Sequence, residues 1–168
     1  GDVDRRWSPE RNHMDRAGLI VESAKGECNP GQHEIAFKFA DVITTADQHV
    51  VYKTAAKEIA AEHHKSLTSM SKFNEREGNS CHIHLSLRGL GGELVFAREA
   101  DGSPSAGGRS AIFNSFVAGV LSTMREFTLL YAPNINSYKR FQPGSFAPTA
   151  VAWGEDNRTC AVRVVGKG

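Results

Sequence analysis

Residues 81–88 alternate strictly between polar and apolar side chains, and this pattern limits the fold more than any other stretch of the chain. Because successive side chains of a β-strand point to opposite faces, the alternation predicts a strand over residues 79–89 with two unlike faces. The polar side chains share one face: His82, His84, Ser86 and Arg88. The apolar side chains share the other: Ile83, Leu85 and Leu87. We expect the apolar face to pack on a core and the polar face to look into water or a site.

Turn residues and periodicity divide the rest of the chain into helices and strands. We predict a short helix over 9–18, and long helices over 41–64 and 110–131. Strands are predicted over 19–24, 33–39, 150–153 and 160–165, with a polar turn over 154–157. Residues 97–109 are expected to form a flexible loop and 132–148 a structured loop. An antiparallel sheet with two long flanking helices gives an α+β fold.

Each long helix has apolar residues at three- and four-residue spacing, which predicts the face that it buries. In the first helix these residues are Val42, Ala46, His49, Val50, Ala56, Ile59 and Ala60. In the second they are Ile112, Phe116, Val120, Met124, Phe127 and Leu130.

Charge and hydropathy exclude several classes of protein. With 20 Lys and Arg residues against 19 Asp and Glu, the chain has a net charge of +1 and no basic excess for binding nucleic acid. No apolar run reaches the roughly 18 residues that span a bilayer, so no membrane partner is expected. The polar opening, residues 1–16, does not form a signal peptide.

An odd number of cysteines without CxxC spacing indicates a reducing, cytoplasmic location: Cys28, Cys81 and Cys160.

Two features are typical of metal ligands. Glu27 and Glu34 flank a Pro-Gly turn, so a chain reversal can bring both carboxylates to one cation. Carboxylate oxygens with an occasional imidazole suit Mg²⁺ or Mn²⁺ better than Zn²⁺. His82 and His84 can serve one metal, or one metal and one phosphate. The alternatives are a solvated pair of glutamates and an ordinary solvent-facing strand.

Three arginines lie in or beside segments rich in proline and turn residues: Arg140, Arg158 and Arg163. Arg163 interrupts an apolar strand, where an unpaired charge is costly, so we expect it to have an anionic partner. That partner is either a protein carboxylate or a bound phosphate, since guanidinium groups bind both through two parallel hydrogen bonds. The alternative for each arginine is a surface salt bridge.

The order and spacing of these motifs resemble the catalytic domain of glutamine synthetase, from about Gly18 to the last residue. The matching stretches are GQHE after Glu27, ADxxxxYK ending at Lys53, GNSCHIHLSL over 78–87, NSYKR over 136–140, PG and AP within 143–148, and Trp153 with Asn157, Arg158 and Arg163. The resemblance implies that fold and a two-step reaction. ATP phosphorylates the side-chain carboxylate of glutamate, and an amine then displaces phosphate to leave a γ-glutamyl amide.

The resemblance also implies roles for the matching residues. The implied ligands of Mg²⁺ or Mn²⁺ are Glu27, Glu34 and His82. The implied nucleotide contacts are His84, Ser86 and Arg158. Arg158 and Arg163 would neutralise the ATP phosphates and the phosphoryl group in flight, and Gly78 and Arg140 would hold glutamate, the latter by its carboxylate.

Two departures from the ammonia-using members point to a particular branch of the family. Those members have PGxEAP after NSYKR, with a glutamate in the ammonium pocket, and this chain has Phe146 at that position. An aromatic side chain cannot hold ammonium as a carboxylate does, but it can line a pocket for an alkyl chain. Glu77 replaces an asparagine that touches glutamate. Both changes resemble the γ-glutamyl amide branch, which uses polyamines, ethanolamine or other alkylamines.

The resemblance further implies that residues 1–168 are part of a catalytic domain. Its small N-terminal domain and its C-terminal end would lie outside this sequence, and a homo-oligomeric ring would complete the active site from a neighbouring subunit. We therefore expect this stretch alone to be inactive. The alternatives are an ordinary ammonia-using glutamine synthetase, a catalytically inactive structural relative, and an unrelated metal-binding module that carries the HxH pair.

Overall fold

The computed structural model of the protein describes residues 13–97 and 108–165. The chain forms two compact units, residues 1–70 and 71–168. The first unit contains strands β1 (Val21–Gly26) and β2 (His33–Phe37) and helix α1 (Val42–Glu62). The second contains helices α2 (Ala111–Thr123), α3 (Thr128–Tyr131) and α4 (Ile135–Tyr138) and strands β3 (Ala150–Glu155) and β4 (Cys160–Val164). Both units mix helix and strand, in agreement with the predicted α+β class.

Strands β1 and β2 form an antiparallel hairpin, as the sequence predicted. The chain reverses over residues 29–32, where the Gln32 N–H donates to the Asn29 carbonyl at 2.8 Å. Pro30 and Gly31 suit a type II turn, because proline sets φ at the first central position and Gly31 has a φ of +77° at the second. The turn residues therefore explain where the hairpin reverses.

Helix α1 begins after Asp41 and ends at Glu62, close to the predicted bounds. The Asp41 carboxylate caps its first turn by accepting from the N–H groups of Ile43 and Thr44 at 3.1 and 3.0 Å. An aspartate at this position satisfies backbone donors that have no partner inside the helix.

The core of the first unit lies against the C-terminal half of α1. Its buried members are Met14, Leu19, Ala56 and Ile59, and Val21, Phe37, Tyr52 and Ala55 pack against them. The predicted stripe is wrong at its N-terminal end, since Val42 and Val50 are 74% and 66% exposed. His49 is exposed as well. Burial requires a facing surface, and the described residues of this unit supply one only for the last turns of the helix.

The second long helix is shorter than predicted. Helix α2 ends at Thr123, residues 124–127 form turns, and α3 follows. The Leu130 N–H donates to the Phe127 carbonyl at 2.8 Å, three residues back, which is the tighter 3₁₀ pattern. The predicted stripe holds only in its middle: Phe116, Val120 and Met124 are half-buried, while Ile112, Phe127 and Leu130 are exposed.

Strands β3 and β4 pair in parallel, with Ala150 opposite Cys160 and Glu155 opposite Val164. The prediction of an antiparallel pair is wrong here. Residues 154 and 155 continue β3 where a turn was expected, which leaves only 156–159 as the connection. Parallel strands usually need a crossover of a dozen or more residues, so this connection is unusually short.

The strand predicted over 79–89 is not found in the described part of the chain. Residues 79–87 are not part of a β-strand, and Arg88 forms an isolated antiparallel bridge with Leu94. The expected core face is exposed as well, since Ile83 and Leu85 are 70% and 60% accessible. A strand exists only through a neighbour that shares its backbone hydrogen bonds, and neither two-stranded sheet in the described residues includes this segment.

The remaining predictions concern the helix over 9–18 and the two loops. Residues 13–16 are helical, and 9–12 lie outside the described residues, as do 98–107 of the predicted flexible loop. The predicted loop over 132–148 contains the short helix α4. Within 13–97 and 108–165, none of the helices is long and apolar enough to cross a bilayer.

Candidate active site

The β1–β2 hairpin brings the two predicted metal-binding carboxylates together. Lys25 lies directly opposite Glu34 in the register, and Glu27 follows two residues after Lys25. The Lys25 ammonium is 3.1 Å from the Glu27 Oε1 and 3.1 Å from the Glu34 Oε1. The hydrogen bonds that the Lys25 ammonium donates to these two carboxylates, Glu27 first, raise the pKa of Lys25 above its ordinary value. Both acids therefore share one cation at the end of the hairpin.

The donor chemistry of this pair fits Mg²⁺ or Mn²⁺, since both ions prefer carboxylate oxygens and both acids reach one positive charge. Glu27 and Glu34 belong to the first unit, and the third predicted ligand, His82, belongs to the second. Within the part of the chain that the structure describes, no group of three or more His, Cys, Asp or Glu side chains could hold a metal ion. Of the three predicted ligands, the structure therefore brings together Glu27 and Glu34.

The predicted nucleotide contacts lie on the extended segment 79–88. His82, His84 and Ser86 are exposed and lie at alternate positions of this segment. The idea that they share one face of a paired strand is not supported, because the segment has no strand neighbour among the described residues.

In the second unit, the structure brings Gly78 and Arg140 together. Both are buried, and Arg140 is 8% exposed. A Cβ atom on Gly78 would lie 2.6 Å from the Arg140 Cδ and 2.1 Å from the Ser71 carbonyl oxygen. Since real Cβ atoms do not approach other atoms so closely, only glycine permits the arginine to lie across this backbone. These are the two residues that the resemblance assigned to glutamate.

Only some of the hydrogen-bond donors of the Arg140 guanidinium have a partner in this position. Its Nη1 donates to the Ser145 carbonyl, and the Ser145 hydroxyl donates to the Arg140 carbonyl at 3.0 Å. In the described ranges its buried Nε has no hydrogen-bond partner. Burial lowers the pKa of the Arg140 guanidinium, and the negative charge of Glu77 opposes that shift. A buried donor without a partner is costly, so this N–H group keeps an unmet capacity to donate a hydrogen bond.

Asn136, in helix α4, binds the backbone of Lys72, and the sequence did not predict this contact. The Lys72 N–H donates to its Oδ1 at 2.8 Å, and its amide donates back to the Lys72 carbonyl at 2.7 Å. Ser145 was also missed. The NSYKR motif was the available signal for Asn136, because its asparagine lies in α4, the short helix that leads to Arg140.

Phe146 and Arg158 line one cavity of about 210 Å³. Phe146 adopts a φ of +58°, which is rare for an aromatic residue, and Gly144 precedes it with a φ of +74°. Thr149 and Thr159 add hydroxyl groups to the lining. The described residues around this cavity include no acidic side chain. Glu77 does not line this cavity, and its negative charge interacts with Arg140 instead.

Arg163 has a carboxylate partner, one of the two kinds of anion that the sequence predicted, although the contact is loose. Its Nε lies 3.8 Å from the Asp156 Oδ1. The Asp156 side chain is 85% exposed, so water weakens the attraction. Arg163 itself is half-buried in β4.

Arg109 was not predicted to matter. Its Nη2 lies 2.6 Å from the Glu155 Oε1, and its guanidinium carbon lies 5.5 Å from the ring centres of both Phe113 and Trp153. These contacts fix the start of α2 to β3, the strand that leads to Arg158 and Arg163.

Residues 10–168 match the family of glutamine synthetase catalytic domains. The chain is 65% identical to the γ-glutamylethanolamide synthetase GlnA4 of Streptomyces coelicolor over 94% of this chain and 33% of that protein. It is 40% identical to a glutamate–isopropylamine ligase of a Pseudomonas species over 92% of this chain and 33% of that protein.

The fold agrees with these relatives. The solved structure titled "Apo GmaS without ligand" superposes with a TM-score of 0.82 at 30% identity, over 96% of this chain and 38% of that one. The chain thus spans about a third of the length of the curated relatives it matches. With a family match over nearly all of its residues, the chain belongs to the glutamine synthetase catalytic-domain family.

Proposed function

We propose that this chain is part of an ATP-dependent ligase that joins an amine to the γ-carboxylate of glutamate through a γ-glutamyl phosphate. The observation that carries the proposal is the buried Arg140 against Gly78, with an Nε that lacks a partner in the described residues. A guanidinium in this state matches the α-carboxylate of an amino acid, because arginine binds carboxylates through two parallel hydrogen bonds. Membership of the glutamine synthetase family supports the same reaction.

Arg158 and Arg163 are proposed to stabilise charge on the transferring phosphoryl group. Arg163 is half-buried and only loosely paired, and Arg158 is exposed at the cavity that Phe146 lines. In phosphoryl transfer, positive groups placed around the developing charge supply most of the catalysis. His84 and Ser86 are proposed to contact the nucleotide.

Glu27, Glu34 and His82 are proposed to hold Mg²⁺ or Mn²⁺. Support comes from the two hairpin carboxylates, which already converge on one cation. When bound, the metal would help neutralise the phosphate oxygens of ATP.

The amine is proposed to be an alkyl or hydroxyalkyl monoamine that binds beside Phe146. An aromatic wall offers apolar contact worth about 0.8 kcal/mol per methylene, and Thr149 and Thr159 can accept or donate to a hydroxyl. The cation Arg158 favours the uncharged, nucleophilic form of an amine. The names of two relatives, a γ-glutamylethanolamide synthetase and a glutamate–isopropylamine ligase, support this class.

An amine panel tests the function. In the complete protein, kcat/KM for ethanolamine and isopropylamine should exceed that for ammonium, and putrescine should be poor because its second ammonium meets Arg158. Phe146→Glu should move the preference towards ammonium, since it restores a carboxylate to the pocket. A wild-type preference for ammonium would identify an ordinary glutamine synthetase, and absence of ATP turnover with every amine would identify an inactive relative.

We also propose that residues 1–168 are part of a larger catalytic domain, which works in a homo-oligomeric ring in the cytoplasm. The partial coverage of the relatives supports the first point. All three cysteines are free, which supports a reducing compartment.

A further inference from the structure

Lys25 is a third charged group on the acidic face of the hairpin, and the family resemblance gives it no role. The strand register places it there, because residues directly opposite each other in an antiparallel pair have their side chains on the same face. Glu27 continues that face two residues later. The position of Lys25 between both acids therefore follows from the backbone pairing and not from one side-chain rotamer alone.

The Lys25 ammonium group lies between the two carboxylates, at the position that a shared cation would occupy. Its nitrogen is 3.1 Å from an oxygen of each acid. A divalent ion bound by the same two oxygens would lie about 2.0–2.1 Å from each, the distance typical of Mg²⁺. An ammonium and a divalent ion at that separation repel each other strongly, so the two cations cannot share this place.

We propose that Lys25 is the built-in counter-cation of the Glu27–Glu34 pair, and that a divalent metal ion enters this pair by displacing its ammonium group. The inference rests on the proposed metal-binding role of the two acids. In the metal-free protein, Lys25 holds the carboxylates at a spacing ready for a metal and limits their mutual repulsion. Its side chain is 59% exposed and flexible, so it can swing into solvent when a metal arrives.

Mn²⁺ titration of the purified protein, followed by calorimetry and by electron paramagnetic resonance of the free ion, tests this exchange directly. Glu27→Gln first identifies the binding step that belongs to the pair. At that step Lys25→Met, which keeps the apolar stem and removes the charge, should bind Mn²⁺ about tenfold more tightly. Lys25→Arg keeps the charge and should stay close to the wild type. Lys38→Met, at an exposed lysine just past the end of β2, is the matched control and should change nothing.

Thermal unfolding without metal gives a second readout that does not depend on catalysis. Lys25→Met should lower the Tm of the metal-free protein, because two carboxylates then face each other without a cation. Saturating Mn²⁺ should restore that loss, so the rise in Tm on adding Mn²⁺ should be larger than in the wild type.

Two results would overturn the proposal for different reasons. If Lys25→Met binds Mn²⁺ no more tightly while Glu27→Gln still weakens the binding, the acids are ligands but Lys25 does not compete. If Glu27→Gln leaves the isotherm unchanged, the pair is not a metal site, and the assignment of function fails together with the role of Lys25.

Discussion

The side chain of Arg140 lies across the backbone of Gly78, so close that a Cβ atom at residue 78 would come within 2.6 Å of the arginine Cδ. The same Cβ would lie 2.1 Å from the Ser71 carbonyl oxygen, which belongs to the backbone and cannot move aside as a side chain can. The two residues proposed to hold glutamate are therefore packed as one unit.

Gly78→Ala should destabilise the protein by about 1–3 kcal/mol, the usual cost of forcing a methyl group into a packed site. It should also raise KM for glutamate, because Arg140 has to shift. Gly119→Ala is the matched control, since Gly119 lies in helix α2 and a Cβ there would meet nothing within 4 Å. That variant should be neutral or slightly more stable. Urea unfolding and glutamate titration distinguish the two, and equal stability of both variants would contradict the contact.

Arg163→Lys should leave stability almost unchanged but reduce ATP turnover. The ion pair with Asp156 is loose and exposed, and such pairs contribute about 0–1 kcal/mol. Loss of the planar guanidinium at a developing charge costs on the order of 3 kcal/mol, or roughly a hundredfold in kcat. Asp156→Asn is the control and should leave turnover intact. If both variants lower stability and neither lowers kcat, Arg163 is a structural ion pair.

His82→Ala should severely weaken metal-dependent ATP turnover in the complete protein, while His49→Ala should have little effect. His49 is exposed on helix α1, and its ring lies 6.5 Å from that of Tyr52. The measurement is turnover as a function of Mg²⁺ concentration. An equal loss in the two variants would rule out a specific role for His82 as a ligand.

Arg109→Lys should lower the free energy of unfolding by about 1–2 kcal/mol, because lysine cannot keep the planar contact with two aromatic rings and the hydrogen bond to Glu155 together. Arg125→Lys makes the same chemical change at an exposed position and should be neutral. Chemical denaturation of both variants checks this. A stable Arg109→Lys protein would show that these contacts do not hold α2 to β3.

Asp41 should make the start of helix α1 sensitive to acid. Hydrogen bonds from Thr44, side chain first, lower the pKa of Asp41 below its ordinary value of 3.8. A carboxylate with a depressed pKa stabilises the fold above its unfolded value, and that contribution is lost as the pH falls through the folded pKa. Asp41→Asn still caps the helix but does not titrate, so its stability should fall less steeply below pH 3.8. Identical acid unfolding curves would contradict this prediction.

The sequence best predicted the features that depend on residues close together in the chain, such as turns and helix starts. Pro30 and Gly31 indicated the reversal that joins Glu27 to Glu34, and Asp41 begins α1 within one residue of the predicted start. The apolar face of 81–88 was wrongly placed in a core, because alternation describes a strand's faces but supplies no neighbour to cover them. The contact of Arg140 with Gly78 could not be predicted either, since the two residues are 62 positions apart in the chain and only the folded backbone brings them together.

The reversal at Pro30 and Gly31 also has a kinetic consequence. Gly26 and His33 are paired across a short loop, so the two carboxylates beside them meet through contacts that are local in sequence. Isolated hairpins of this kind form within about 1–10 μs, far faster than the pairing of distant segments. The acidic end of the hairpin can therefore form early in folding. The packing of α1 against Met14 and Leu19, which joins segments further apart in the chain, follows later.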